Sequence, residues 1–441
     1  MSELSSMKVV VIGGGAAGFF GAIACANTHP NIDVILLEAG QQPLAKVRIS
    51  GGGRCNVTHA CFEPAQFVQN YPRGAKALRG AFSRFQAKDT VEWFTQKGVE
   101  LKTEEDGRMF PITDDSETIV NCLIQSAKQA GIQIKTQARV TEIQVHQKNY
   151  DLSINPVSEG NFKTLIPHHQ QETGFLNREN DFKIILNSGE ILTANRLLLA
   201  TGSNPSGYRW AEQLGHKIIP PVPSLFTFNI TDERLKDLAG VSVNSAKIKL
   251  PEAKLEQTGP LLITHWGLSG PAVLKLSAWG ARFLQDCRYK TSLIVNWLPL
   301  SNPEALREEL LAVKSQLSQR VVSSSCPVLI PRRLWKQLTL AVGIDEQKRW
   351  GEVSNKVINQ LIQELTQGKF QINGKGVFKE EFVTCGGVSL KEVDFKTMES
   401  RCCPNLYFAG EILDIDGVTG GFNFQSAWTT GWLAGQAMGK F

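Results

Sequence analysis

The sequence has no C-x-x-C pair. Its nine cysteines are scattered and odd in number, which disfavours both a disulfide framework and a zinc site. No apolar run reaches the roughly 18–20 residues that a membrane span requires. The opening stretch, MSELSSMKVVVI, has no basic leader before its apolar run and no later cleavage signature, so no signal peptide is expected. Charge of one sign is scarce as well. The 47 Lys and Arg against 42 Asp and Glu give a net charge of +5, too mild a surplus for a nucleic-acid footprint. Internal repeats and low-complexity tracts are absent. These gaps leave a reduced, cytoplasmic protein with no membrane span and no nucleic-acid partner as the expectation.

What is present is ordinary globular composition, 42% hydrophobic and 20% charged over 441 residues, which excludes a disordered chain. At about 150 residues per domain the length implies two or three domains. A strand at Lys8–Ile12, a small-residue helix at 16–27 and a second strand at Asp33–Glu38 form a βαβ unit. A glycine-rich loop follows at 50–53, then several helices between Pro64 and Ala130, then strands at Ile132–Lys135 and Arg139–His146. Residues 149–181 are polar and unpatterned and read as a surface insertion. A strand at Arg196–Ala200 precedes a section, 220–298, of alternating short apolar runs typical of an antiparallel sheet or barrel. Residues 302–367 turn helical, strand-like chain resumes at Glu381–Cys385 and Asn405–Phe408, and a last helix runs from Phe422 to Met438.

Gly13, Gly15 and Gly18 make G-x-G-x-x-G between a strand and a helix. Gly13 allows a tight turn, Gly15 lets backbone approach a pyrophosphate, and Gly18 lets helix and strand pack closely. The helix start at Ala16 and Ala17 offers free N–H groups and the positive dipole end to that anion. Glu38, with Ala39 beyond it, closes the second strand where a carboxylate accepts from ribose hydroxyls and repels a 2′-phosphate. A glycine-rich turn without function is the bland alternative, and the complete strand–helix–strand–acid context weighs against it.

The far end of the chain distinguishes FAD from NAD. Leu406–Phe408 leads into Ala409-Gly410-Glu411, and Gly420-Gly421-Phe422-Asn423-Phe424-Gln425 opens the last helix. An acid after a strand suits ribityl hydroxyls. A helix N-terminus suits the N1/C2=O edge of a flavin, where negative charge develops on reduction; such a dipole is worth about 0.3–1 kcal/mol exposed and up to about 2 when partly buried. No second G-x-G-x-x-G with a downstream acid or arginine occurs, so NAD(P)H, if it is the electron donor, binds transiently against the flavin.

The run Ser50-Gly51-Gly52-Gly53-Arg54-Cys55-Asn56-Val57-Thr58 resembles the signature of the BaiN-like (YhiN-type) flavoproteins. Gly107–Pro111, Ala200-Thr201-Gly202, Thr264–Pro271 and the AGE…DG…GG-F-N-F-Q tail are similar to the same family. The resemblance spans nearly the whole chain apart from 149–181. It implies an α/β fold: an FAD-binding Rossmann-like domain of the two-dinucleotide-binding type, interrupted by a β-barrel-like domain carrying a helical insert. The boundaries it suggests are 1–205 with 376–441, 206–299 with 368–375, and 300–367 for the insert. Carried over by motif, Gly13, Gly15, Gly18, Glu38, Gly52, Arg54, Cys55, Asn56, Val140, Thr201, Gly202, Gly410, Glu411, Gly421, Asn423 and Phe424 lie along FAD, Val140 by its strand alone. His59 departs from the family, which usually has Asn there.

Three residues are candidates for chemistry. His265 is a proton donor or substrate-orienting group, or else shapes its loop by hydrogen bonding. Arg108 binds an anionic or carbonyl substrate, or braces its hairpin by pairing with Asp106 or Asp114. Cys55 is a redox thiol, or a small residue packing on the ring. The expected function is an FAD-dependent oxidoreductase that reduces an apolar, enone-like small molecule with electrons from NAD(P)H. A flavin-dependent RNA-modifying protein and an FAD-containing sensor without turnover are the alternatives.

Overall fold

A computed structural model describes residues 7–28, 31–148, 179–376 and 383–440. The apolar run Lys8–Ile12 forms the centre of a seven-stranded sheet. In spatial order its strands are Val393–Asp394, Glu399–Ser400, Leu406–Phe408, Arg196–Leu199, Lys8–Ile12, Asp33–Leu37 and Gln133–Lys135. The last five run parallel, and the first two are an antiparallel extension. Val9, Val10 and Val11 are fully buried, as expected for a strand covered on both faces. The first helix, Ala16–Thr28, and the last, Phe422–Met438, pack against each other beside this sheet. Close passage is possible because Gly431 and Gly435 face the backbone of Ala17 and Gly21.

A second seven-stranded sheet is antiparallel, in the order Gly368–Ile372, Thr291–Asn296, Ser242–Leu250, Leu255–Thr264, Gly267–Ser269, Phe228–Asn229 and Gly374–Lys375. Its two edge strands are consecutive in sequence, with only Asn373 between them. The curled sheet therefore brings its edges together as a barrel. Helix Asn355–Gln367 packs on strands Thr291–Asn296 and Gly368–Ile372, and helices Pro303–Gln316 and Arg332–Ala341 pack on that helix in turn. Hydrophobic residues segregate into two large cores, one under the parallel sheet and one inside the barrel and its helices, beside a small third cluster of Val222, Ala281 and Cys385.

Several expectations are corrected. The stretch 220–298 is not purely β: it also contains helices Pro271–Trp279 and Ala281–Asp286. Pro271–Trp279 escapes periodicity because it is apolar on two sides. Ala272, Val273 and Leu276 enter the barrel core while Leu274 and Ala278 pack on the Rossmann core, so no polar face marks it as amphipathic. This bridging helix joins the two units. The glycine-rich loop at 50–53 is present: a short helix that starts at Ala45 gives way there to non-helical backbone, extended at Ser50 and left-handed at Gly51 and Gly52. Phe228–Asn229 is all that forms of the strand expected at 225–230. Residues 149–178 of the expected insertion lie outside the described residues, and Glu179–Leu186 begins the strand that pairs with Val140–Lys148.

Candidate functional site

The two ends of the chain meet at the N-termini of the first and last helices. A Cβ placed on Gly410 would lie 2.8 Å from that of Ala17, and one on Gly202 would lie 3.7 Å from Glu411 Oε2. Gly13, Gly15, Ala17, Thr201, Gly202, Gly410 and Glu411 therefore line one groove. Helix geometry leaves the first N–H groups of Ala16–Thr28 without intrahelical acceptors, and no protein atom stands within 4 Å of the Gly15 Cβ position. The Thr201 hydroxyl is buried with no partner. Open space and free donors together fit an extended dinucleotide, while the Thr201 hydroxyl packs against Gly207.

Glu38 caps one end of this groove. Its Oε2 accepts from Gly14 N–H at 2.9 Å and its Oε1 from Gly40 N–H at 2.6 Å, which orients the carboxylate while leaving lone pairs for ribose hydroxyls. Ala39 is exposed beside it. Val140 is buried, and Ala138 two residues before it donates to the Glu38 carbonyl at 2.9 Å. Lys46 spans the groove, its Nζ 2.6 Å from Glu411 Oε2. Glu411 Oε1 also accepts from Thr384 N–H at 2.9 Å. A cavity of 610 Å³ lined by Ser203, Tyr208, Arg209 and Thr384 opens beside that pair.

At the other end, Gly51, Gly52 and Gly53 all have positive φ, 58°, 71° and 87°. Three consecutive left-handed residues turn the chain sharply and leave Gly52 and Gly53 free of neighbours within 4 Å. The following segment locks onto the last helix. The Asn56 amide bridges the Gly421 N–H and the Thr58 carbonyl at 3.0 Å each. Thr58 Oγ1 donates to Gln425 Oε1 at 2.7 Å, and Trp428 Nε1 donates to the Val57 carbonyl at 3.0 Å. Asn423 is bonded through both amide atoms to the backbone of Gly417, at 2.8 and 2.9 Å. It thus shapes the loop before the helix. Phe424 stacks on Trp428 with ring centres 5.6 Å apart.

The three chemistry candidates fare differently. Cys55 is fully buried, and burial pushes its thiol up to about 12. A thiol held protonated has no nucleophilic form near neutral pH, so Cys55 is a packing residue. Arg108 braces its hairpin, pairing with Asp106 at 2.7 Å and Glu104 at 2.8 Å; Asp114, the other expected partner, pairs with Arg54 and Lys102 instead. Arg54 itself bonds Glu104 at 2.6 Å and stacks over Phe110, so its side chain is engaged with the hairpin. His265 is exposed in the turn between strands Leu255–Thr264 and Gly267–Ser269, and no described residue hydrogen-bonds its ring.

Sequence reasoning treated His59 only as a departure. It stacks on Phe422 with ring centres 4.9 Å apart, and its Nε2 lies 3.1 Å from the Asp106 carbonyl. Burial lowers the His59 imidazole below its ordinary range, and Lys275 of the bridging helix pushes in the same direction against the opposing pull of Asp106. The bridging helix of the barrel side therefore lies within electrostatic reach of His59. Neither that contact nor Lys46 carries a local motif; both come from long-range folding.

Residues 7–166 match the HI0933-like protein Rossmann domain, and residues 222–383 match the HI0933-like protein barrel and H2TH domain. Among curated proteins, the chain is 29% identical to a ribosomal RNA dihydrouridine synthase of Escherichia coli strain K12, covering 98% of each. It is 28% identical to a ribosomal RNA dihydrouridine synthase of Haemophilus influenzae, covering all of both chains. It is also 26% identical to a 3-dehydro-bile acid delta(4,6)-reductase of Clostridium scindens, covering 98% of each.

Proposed function

The chain belongs to the HI0933-like family, and on that premise we propose that it is an FAD-dependent reductase of a carbon–carbon double bond conjugated to a carbonyl. A dihydrouridine product and a 3-oxo-delta(4,6) steroid look unrelated, yet both imply saturation of such a bond. The observation that carries the reading is the single groove built from opposite ends of the chain, with Gly410 against Ala17 and Asn56 on Gly421.

FAD, when bound, supplies the hydride from its N5 position. Gly13, Gly15, Gly18, Ala16 and Ala17 hold its pyrophosphate, Glu38 holds the ribose, and Ala39 and Val140 flank the adenine end. Thr201, Gly202, Gly410 and Glu411 face the ribityl chain. Gly52, Arg54, Cys55, Asn56, Gly421, Asn423 and Phe424 form the surroundings of the ring. The positive end of helix Phe422–Met438 favours negative charge on the N1 edge. His265, the ring left without a partner among the described residues, delivers the proton to the carbon beside the carbonyl. NAD(P)H is the donor and binds transiently.

The uracil ring of a structured RNA is the substrate favoured first, because two of the three relatives carry that name over the full chain. A small enone is the second reading, favoured by the third relative. Anaerobic mixing with NADH or NADPH should remove the oxidised-flavin absorbance, and unmodified ribosomal RNA should restore it with uridine gaining two hydrogens in mass. Reoxidation by a 3-oxo-4-ene steroid but not by RNA would select the second reading. Flavin that neither donor reduces would overturn the reductase assignment.

A further inference from the structure

His216, Glu392 and Cys402 belong to three segments far apart in sequence. Yet a ring nitrogen of His216, a carboxylate oxygen of Glu392 and the Cys402 Sγ all lie within 4.8 Å of one another. Backbone pairing puts them there. Glu392 precedes strand Val393–Asp394 and Cys402 follows strand Glu399–Ser400. These strands pair antiparallel, Val393 opposite Ser400, and Arg401 N–H donates to the Glu392 carbonyl at 2.8 Å. His216 follows helix Pro205–Gln213, where the chain turns into strand Ile218–Ser224. Its neighbour Lys217 fixes it in place by donating its N–H to Glu392 Oε2 at 2.8 Å.

The histidine is 3% exposed. Its Nε2 is engaged: Ser400 Oγ lies 2.7 Å away, and the same oxygen accepts from the N–H groups of Cys402 at 3.0 Å and Cys403 at 2.7 Å. Its Nδ1 is buried with no hydrogen-bond partner among the described residues, a costly state for a polar atom. Glu392 Oε2 stands 3.4 Å from that nitrogen, beyond the roughly 2.7–2.9 Å of a charge-assisted hydrogen bond. A tetrahedral zinc ion, with bonds of about 2.0–2.3 Å, holds nitrogen and oxygen ligands about 3.4 Å apart and a sulfur about 3.6 Å from either. The spacing that is too long for a hydrogen bond therefore matches an edge of a metal tetrahedron. Cys402 is exposed, so its side chain has room to turn onto the third corner.

We propose that His216 Nδ1, the Glu392 carboxylate and the Cys402 thiolate bind a zinc ion, with water at the fourth position. Imidazole and thiolate together select zinc over magnesium or calcium, and the two anionic ligands balance its charge. As the S–Zn bond forms, the Cys402 thiol gives up its proton to solvent, and nothing is oxidised or reduced. Ser400 is the outer partner that holds the metal-bound ring in orientation. The ion clips the crossover that leads into the barrel onto the antiparallel edge of the parallel sheet. His216 also packs edge-on against Phe408 with ring centres 4.7 Å apart, and the Phe408 strand runs directly into Gly410 and Glu411 of the groove. Sequence pattern hides this site because its ligands come from three segments, so a missing C-x-x-C pair does not bear on it.

The test uses the full flavin-loaded chain, treated with a chelator and dialysed, with zinc chloride and cobalt chloride as probes. The wild type should retain one zinc per chain through gel filtration and melt at a higher temperature with it. Cobalt should give the visible bands of a tetrahedral site, to the red of the flavin spectrum, and a thiolate charge-transfer band in the near ultraviolet. C402S should abolish the charge-transfer band. In competition with a chromophoric chelator, S400A should weaken zinc binding about ten-fold, as loss of an outer partner does, and C402S and E392Q by more than that. C287S removes a half-buried cysteine outside the cluster and should change none of these readouts. The flavin spectrum of each variant shows that it is folded. Failure of the wild type to retain zinc, or zinc binding that either C402S or E392Q leaves at wild-type strength, would overturn the site. None of these measurements involves turnover, so their outcome stands apart from the reductase reading.

Discussion

Gly15 and Gly18 sit three residues apart in one motif, yet a side chain would mean different things at each. Beyond its chain neighbours, no described residue lies within 4 Å of a Cβ on Gly15, while one on Gly18 would sit 1.9 Å from the Gly13 carbonyl. Gly15→Val therefore introduces no clash in the empty chain and obstructs only the bound pyrophosphate. Gly15→Val should purify colourless with the melting temperature of wild-type apoprotein, whereas Gly18→Val should melt well below it. A yellow Gly15→Val at full occupancy would remove the pyrophosphate from this turn. The glycine motif declares itself at the residue scale because its demands are local. Side-chain partners do not: Arg54 and Arg108 were read correctly as cations, but sharing Glu104 between them depends on a hairpin fold. Cys55 misleads for the same reason, since burial is invisible in a residue's name.

At the scale of elements, the crossing of the first and last helices sets the span of the groove, because each contributes its N-terminus to it. Gly435 lies in the last helix with its Cβ position 2.4 Å from the Gly21 carbonyl. Alanine is the better helix former by about 1 kcal/mol, so propensity alone forecasts stabilisation for Gly435→Ala. Overpacking costs about 1–3 kcal/mol, and here the obstacle is backbone, which cannot rotate aside. The clash should win, lowering the urea midpoint of the FAD-free protein and weakening its retention of flavin. An unchanged or higher midpoint would show that the helices separate freely. Both helices and the small residues within them were legible in the sequence, as was the parallel βαβ start. Their mutual contact was not, and neither was Pro271–Trp279, whose burial against two cores erases the polar stripe on which periodicity depends.

For the whole molecule, the question is what holds the barrel against the Rossmann unit. Arg73 answers it. Its guanidinium makes a two-pronged pair with Asp416, donates to the Ala278 carbonyl of the bridging helix at 2.7 Å, and lies near Ser224, which itself donates to Asp416 at 2.7 Å. The Asp416 side chain is fully buried, and burial raises its carboxyl above the ordinary range despite the opposing pull of Arg73. Arg73→Gln removes that pull and strands the acid. Breaking a buried pair from one side costs about 3–5 kcal/mol, so the variant should be markedly less stable at pH 8. Its deficit should shrink as the pH falls. The folded-state pKa of Asp416 then lies further above the unfolded value, so the folded chain takes up a proton that the unfolded chain does not, and stability rises with acidity in that window. Urea titrations of both proteins at pH 8 and pH 5.5 measure the two differences. A deficit independent of pH would mean that Asp416 finds another cation or water when Arg73 is gone, and that the junction rests on the apolar contacts of the bridging helix instead.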